Sequence, residues 1–162
     1  MTIKTGDRIP KVSFSVMTPE GPAVRASDEI FKGRRVVLIG VPGAFTPTCS
    51  STHLPGFAER ADAFKEKNID EIAVTSVNDV FVMTAWAKDT GTADSISFLA
   101  DGSGDFARAL GLTLDLSERG LGVRSQRYSM LVEDGVVTKL NVETAPSKAE
   151  VSSAEALLNQ IH

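Results

Sequence analysis

Two short apolar runs with a helical pattern between them constrain this chain's fold more than any other feature. Arg34-Arg35-Val36-Val37-Leu38-Ile39-Gly40 and Glu71-Ile72-Ala73-Val74-Thr75-Ser76-Val77 are rich in β-branched residues and lack polar alternation. Such runs read as strands buried on both faces. Between them Leu54, Phe57, Ala58, Ala61 and Phe64 recur at helical spacing, while Glu59, Arg60, Asp62, Lys65 and Glu66 lie off that stripe. The spacing predicts a helix from Ser50 or Ser51 to about Lys67, with Pro55 near its first turn, where proline costs least. Strands alternating with helices imply an α/β sandwich around a central sheet. In such sheets ligands gather at the carboxyl end of a strand, where it passes through a loop into a helix. Here that loop is the Pro/Gly/Thr-rich stretch Val41 to Thr48.

The remaining segments fit the same plan. Lys11 to Ala26 reads as an N-terminal hairpin turning at Thr18-Pro19-Glu20-Gly21-Pro22. Asn78 or Asp79 can cap a helix running to about Lys88. Ile96 to Leu99 is a short strand, and Asp105 to Leu110 a short helix stopped by Gly111. Tyr128 to Val132 and Val136 to Val142 flank Glu133-Asp134-Gly135, a hairpin turn, so part of the sheet is antiparallel. Ser152 and Glu155 have the spacing of a capping box at the start of a last helix. The 162 residues suffice for one domain, 1–162, with a sizeable core.

Composition narrows the function. A formal net charge of −4 argues against nucleic acid or an anionic membrane as the main partner. No apolar run approaches the ~20 residues of a membrane span, and the N-terminus lacks the apolar core of a secretory signal. The expected address is the cytoplasm. There is one cysteine, so an internal disulfide and a cysteine-based metal cluster are both excluded. With two histidines, His53 and His162, a His-rich metal site is not expected either.

That one cysteine, Cys49, sits where the loop meets the predicted helix. The positive end of a helix and its unpaired N–H groups favour thiolate over thiol. A buried structural cysteine would account for position alone equally well. The loop shifts the balance, because two prolines and a glycine in Pro42-Gly43-Ala44-Phe45-Thr46-Pro47-Thr48-Cys49 make it stiff enough to hold a nucleophile. Thr46 lies three residues before the sulfur. It can accept a proton from a substrate and donate to the sulfur, or serve simply as a turn residue.

Val41-Pro42-Gly43-Ala44-Phe45-Thr46-Pro47-Thr48-Cys49 resembles the Pro-x-x-x-Thr-x-x-Cys motif of peroxiredoxins, in the fuller form of the type 5 or type II branch. The likeness continues through His53-Leu54-Pro55-Gly56-Phe57, Ser76-Val77-Asn78-Asp79, Ala85-Trp86-Ala87-Lys88, Phe98 to Gly102 and Leu121 to Tyr128. It implies a thioredoxin-like fold with a central mixed sheet flanked by helices. It also implies a peroxidase acting on hydrogen peroxide and alkyl hydroperoxides through Cys49, with no metal or other cofactor. Thr46 matches the threonine that bonds substrate and sulfur, and Pro42 the proline that shields the pocket. Arg127 matches the arginine that completes the site, with Arg124 as its rival.

Some type 5 members carry a resolving cysteine, at the position that is Val74 here. This chain therefore needs an external thiol: glutathione or glutaredoxin first, thioredoxin second. A homodimer is implied, with Phe45, Phe81 and Leu112 to Leu121 as candidate interface, or else as ordinary core. Two other readings stand beside this one. His53, four residues after Cys49, could serve as the base of a cysteine hydrolase. A redox-sensing module would use the same Cys49 chemistry without turnover.

Overall fold

The computed structural model describes residues 2–48, 52–145 and 148–161, so Cys49 lies outside the described residues. Seven strands form one mixed sheet in the order β2-β1-β5-β4-β3-β8-β9. β1 (Ser13–Thr18) and β2 (Gly21–Ala26) make the expected N-terminal hairpin. β3 (Arg35–Gly40) and β4 (Glu71–Ser76) are the two apolar runs, and they lie parallel at the centre. β5 (Ser97–Ala100) extends the parallel part, while β8 (Tyr128–Glu133) and β9 (Val136–Val142) add antiparallel strands on the other side of β3. The turn between β8 and β9 places Asp134 at φ 49° and Gly135 at φ 77°, two left-handed residues in a row, as a tight hairpin requires.

The absence of alternation in β3 has a direct cause. Val37 and Ile39 enter one core, with Leu54, Phe57, Phe64 and Trp86. Val36 and Leu38 enter a second core on the opposite face, with Phe14, Phe31, Phe106 and Tyr128. Both faces are dry from Val36 to Ile39, so that stretch of the strand is apolar without a break.

The predicted helix after β3 is two short helices, α2 (Leu54–Glu59) and α3 (Ala61–Glu66). They are broken at Arg60, with φ −105° and ψ 16°. Pro55 and Gly56 lower the propensity for one continuous helix, yet the apolar stripe crosses the break. Phe57 and Phe64 stack with ring centroids 5.6 Å apart. The chain already turns helically at Pro47 and Thr48, earlier than the spacing suggested.

α1 (Ser27–Phe31) follows the first hairpin. α4 (Val80–Thr90) is capped by Asp79, whose side chain accepts from the Val82 N–H at 2.8 Å. α5 (Asp105–Leu110) ends at Gly111 as expected. β6 (Thr113–Leu116) and β7 (Gly122–Ser125) form a separate two-stranded arm that their short, mixed-polarity sequences did not announce. α6 (Ala154–Gln160) is capped by Ser153, which accepts from the Ala156 N–H, and not by Ser152 as the capping-box spacing suggested. Ser152 is fully buried and bonded elsewhere.

Candidate active site

β3 delivers the loop to the carboxyl edge of the sheet between β4 and β8. Gly40 pairs with Thr75 on one side and Tyr128 on the other. It must be glycine, because a Cβ there would run into the Tyr128 ring. The Val41 N–H then donates to Thr75 O at 3.1 Å, and the Ala44 N–H to Asn78 Oδ1 at 2.9 Å. Asn78 Oδ1 also accepts from the Ser76 hydroxyl, so one side chain moors the loop to the end of β4. At the loop's crest Phe45 has φ 65° and a half-exposed ring. A non-glycine residue held in that region costs of order 1–3 kcal/mol.

Thr46 closes the turn by donating its hydroxyl proton to Gly43 O at 2.7 Å. A carbonyl can only accept, so Thr46 has no proton left to donate to a sulfur. Its oxygen keeps its capacity to accept a hydrogen bond. The turn-residue role is thus seen directly, and it leaves the hydroxyl oxygen able to accept from a partner.

A pocket of about 300 Å³ opens beside this turn. Pro42, Thr46, Pro47 and Thr48 form one wall, Leu116, Arg119 and Leu121 of the β6–β7 arm the other, and Arg127 lines it too. Three of the residues singled out from the sequence, Pro42, Thr46 and Arg127, are thus brought to one cavity. A larger cavity of about 420 Å³ lies between β1, β5 and α4, and its one charge, Arg25, is already paired with Glu71 at 2.6 Å.

Arg127 is 2% exposed. Its Nη1 donates to His53 Nδ1 at 3.0 Å, and His53 Nε2 lies 2.9 Å from Ser152 O. A guanidinium only donates and a carbonyl only accepts, so the ring proton sits on Nε2 and Nδ1 is the acceptor. Burial, reinforced by the Arg127 charge and opposed by the Ser152 bond, pulls the His53 pKa down to about 3. A neutral imidazole whose one basic nitrogen faces a guanidinium cannot act as a general base toward Cys49, which removes the ground for the hydrolase reading.

Arg124 lies on β7. Its Nε donates to Leu121 O at 2.8 Å, and its Nη1 stands 3.1 Å from where a Gly43 side chain would begin. It braces the back of the loop, whereas Arg127 enters the pocket. Val74 is fully buried in β4, between Ile39 and Phe98. Leu112 is also buried in the core, so it drops out of any interface.

The contributions of Asn78, Leu116, Arg119 and Leu121 were not read as site features from the sequence. Asn78 entered only as a possible cap and as part of the Ser76-Val77-Asn78-Asp79 resemblance, and Leu116, Arg119 and Leu121 only within the candidate interface Leu112 to Leu121.

Residues 4–158 match the Redoxin family. The chain is 46% identical over 160 residues to peroxiredoxin-2B of Arabidopsis thaliana, covering 98% of each. The chain is a peroxiredoxin. Its fold superposes with TM-score 0.94 on reduced Prx3 of Vibrio vulnificus in complex with hydrogen peroxide, at 48% identity over 99% of this chain and all of that one. Peroxiredoxin 5 of Alvinella pompejana gives TM-score 0.85 at 36% identity, covering 97% and 96%. The fold is therefore thioredoxin-like, the branch is the type 5 or type II one, and the enzyme is a thiol-dependent peroxidase. With one cysteine in the sequence, this peroxiredoxin cannot close an intramolecular disulfide.

Proposed function

We propose that this peroxiredoxin reduces hydrogen peroxide and alkyl hydroperoxides through Cys49, assisted by Thr46, Pro42 and Arg127. One observation carries the reading: Thr46 and Arg127, remote in sequence, line the same pocket beside the loop that leads into Cys49. The Cys49 thiolate attacks one peroxide oxygen in line with the O–O bond. That bond breaks, the sulfur loses two electrons and becomes a sulfenic acid, and the other oxygen leaves as water or alcohol after taking a proton. Thr46, an acceptor only, takes the hydrogen bond of the attacked hydroperoxide and aims its O–O bond. Arg127 donates toward the oxygens as negative charge moves from sulfur to the leaving group. Pro42 excludes water from one side. The apolar wall of Leu116 and Leu121 gives room for an organic substituent beyond the needs of hydrogen peroxide.

No metal, haem or flavin enters this cycle. Return to thiol requires attack on the sulfenic acid by an outside thiol, and the reading favours glutathione with glutaredoxin, with thioredoxin as second choice. The proposed setting is the cytoplasm. The proposed assembly is a homodimer, for which the exposed Phe45 and Phe81 offer apolar surface that a second copy would cover.

Stopped-flow mixing with hydrogen peroxide tests the chemistry. Wild type should form one sulfenate per chain rapidly, Cys49→Ser none, and Arg127→Gln roughly a hundred-fold more slowly, the loss usual for one transition-state donor. A wild-type rate no faster than that of a free thiol would sink the proposal. Turnover with glutathione and glutaredoxin, set against turnover with thioredoxin, identifies the reductant.

A further inference from the structure

The pocket arginine belongs to a closed cycle of hydrogen bonds whose far side lies outside the pocket. Arg127 Nη1 donates to His53 Nδ1 at 3.0 Å. His53 Nε2 donates to Ser152 O at 2.9 Å. The N–H and the hydroxyl of Ser152 both donate to Glu143 Oε2, at 2.8 and 2.6 Å. The Glu143 N–H donates to Arg127 O at 2.9 Å, which returns the cycle to its start. All four residues are buried, Ser152 completely and Glu143 to 7% exposure.

We propose that Glu143 and Ser152 are positioning residues for the Arg127 guanidinium, acting through His53. The inference rests on the proposed role of Arg127 in the peroxidase. Its physical content is the number of rotatable bonds that each contact removes. An arginine side chain surrenders up to about 2 kcal/mol of rotamer entropy when fixed, so its placement depends on a partner that does not itself move. His53 is such a partner only if its ring plane is set. The ring plane is set by the Ser152 carbonyl. That carbonyl is aimed by the two bonds that Ser152 sends to a single carboxylate oxygen. The carboxylate in turn sits at the end of β9, tied by its own N–H to the backbone of Arg127.

Two consecutive serines are divided between tasks. Ser153 caps α6, which leaves Ser152 for the cycle. Neither Glu143 nor Ser152 lines the pocket, so neither is a catalytic residue.

The test uses Glu143→Ala, Glu143→Gln and Ser152→Ala in the full chain. The ultraviolet absorbance of the Cys49 thiolate is followed against pH, and single-turnover oxidation by hydrogen peroxide is measured without any reductant. Glu143→Ala should slow oxidation about ten-fold and raise the thiol pKa by about one unit, since a guanidinium that wanders neither donates to the peroxide nor favours the thiolate. Glu143→Gln keeps an oxygen that can accept both Ser152 donors, and should restore the rate to within about two-fold. Ser152→Ala removes one donor of two and should slow oxidation about three-fold; it also serves if Glu143→Ala does not fold. A variant that melts earlier yet keeps the wild-type rate and thiol pKa overturns the proposal and leaves the cycle a structural brace. A sluggish wild type would instead indict the peroxidase reading itself.

Discussion

Adding one methyl group at Gly40 is the sharpest probe of how the sheet holds the site. A Cβ there would meet Cε2, Cζ and Cδ2 of Tyr128, the last at 2.6 Å and the other two closer. Carbon atoms rest at about 3.5–4.0 Å, so three contacts would be short by about 1 Å or more. The Tyr128 ring is 1% exposed within the core that holds Phe14, Phe106 and Met130, so it has nowhere to go. Overpacking of this kind costs typically 1–3 kcal/mol, and with three atoms in conflict against a backbone-fixed position the upper end, about 3 kcal/mol, is expected for Gly40→Ala. At about 2–4 °C per kcal/mol for a chain of this size, the thermal midpoint should fall by about 6–12 °C. Because Tyr128 adjoins Arg127 at the start of β8, peroxide oxidation of the surviving folded protein should slow as well. The control is Tyr128→Leu, which removes the ring. In that background Gly40→Ala should cost less than about 1.5 kcal/mol, a coupling that neighbouring sites show and distant ones do not. Calorimetry of the four proteins decides it. Equal losses in both backgrounds, or a Gly40→Ala midpoint within about 1 °C of wild type, would refute the reasoning.

Two predictions concern acidity. Burial works against ionisation of Glu71, but hydrogen bonds from Arg25, Ser97 and Arg34 outweigh it and hold the carboxyl at about 2. Its stabilisation is therefore complete above the ordinary carboxylate pKa near 4.5 and is lost as pH falls toward 2. Glu71→Gln should melt earlier than wild type at neutral pH and show a shallower acid limb between those values, and chemical denaturation across the pH range checks this. His53 is the opposite kind of group, kept neutral in the fold at a pKa of about 3 against 6.5 when unfolded. Between those values the unfolded chain binds more protons, so stability should decline as pH falls below about 6.5. His53→Asn, which removes the titrating ring, should flatten that decline. An unchanged slope would show that His53 is not the group responsible.

The elements that could be read from the sequence are those whose cause is local. The double burial of β3 and β4 is written in apolar runs, the Asp134-Gly135 turn in two residues that tolerate left-handed backbone, and the α4 cap in the pair Asn78-Asp79, of which the structure uses Asp79. The continuous helix failed because a stripe of apolar residues reports the face that is buried and not whether the backbone bends beneath it. The arm of β6 and β7 escaped because four-residue strands with one face open have too few positions to show a period. At the site, the sequence named Pro42, Thr46 and Arg127, which the fold brings to one pocket, but spacing could not separate Arg127 from Arg124, since that depends on where the chain leaves β7 and enters β8. The cycle through His53, Ser152 and Glu143 joins four segments that meet only in the folded chain. The Ser152-to-Glu155 spacing even pointed elsewhere.

The pairing of Gly40 with Tyr128 has a consequence for the life of the chain before it is folded. The loop that leads into Cys49 and Arg127, the residue that enters β8, are far apart in sequence, with everything from α2 to β7 between them. Contacts of such separation form late, because the entropy of closing the intervening chain is lost before any contact repays it. In the proposed mechanism Arg127 meets the loop only once β8 docks against β3, so assembly of the sheet acts as a safety catch on the proposed nucleophile.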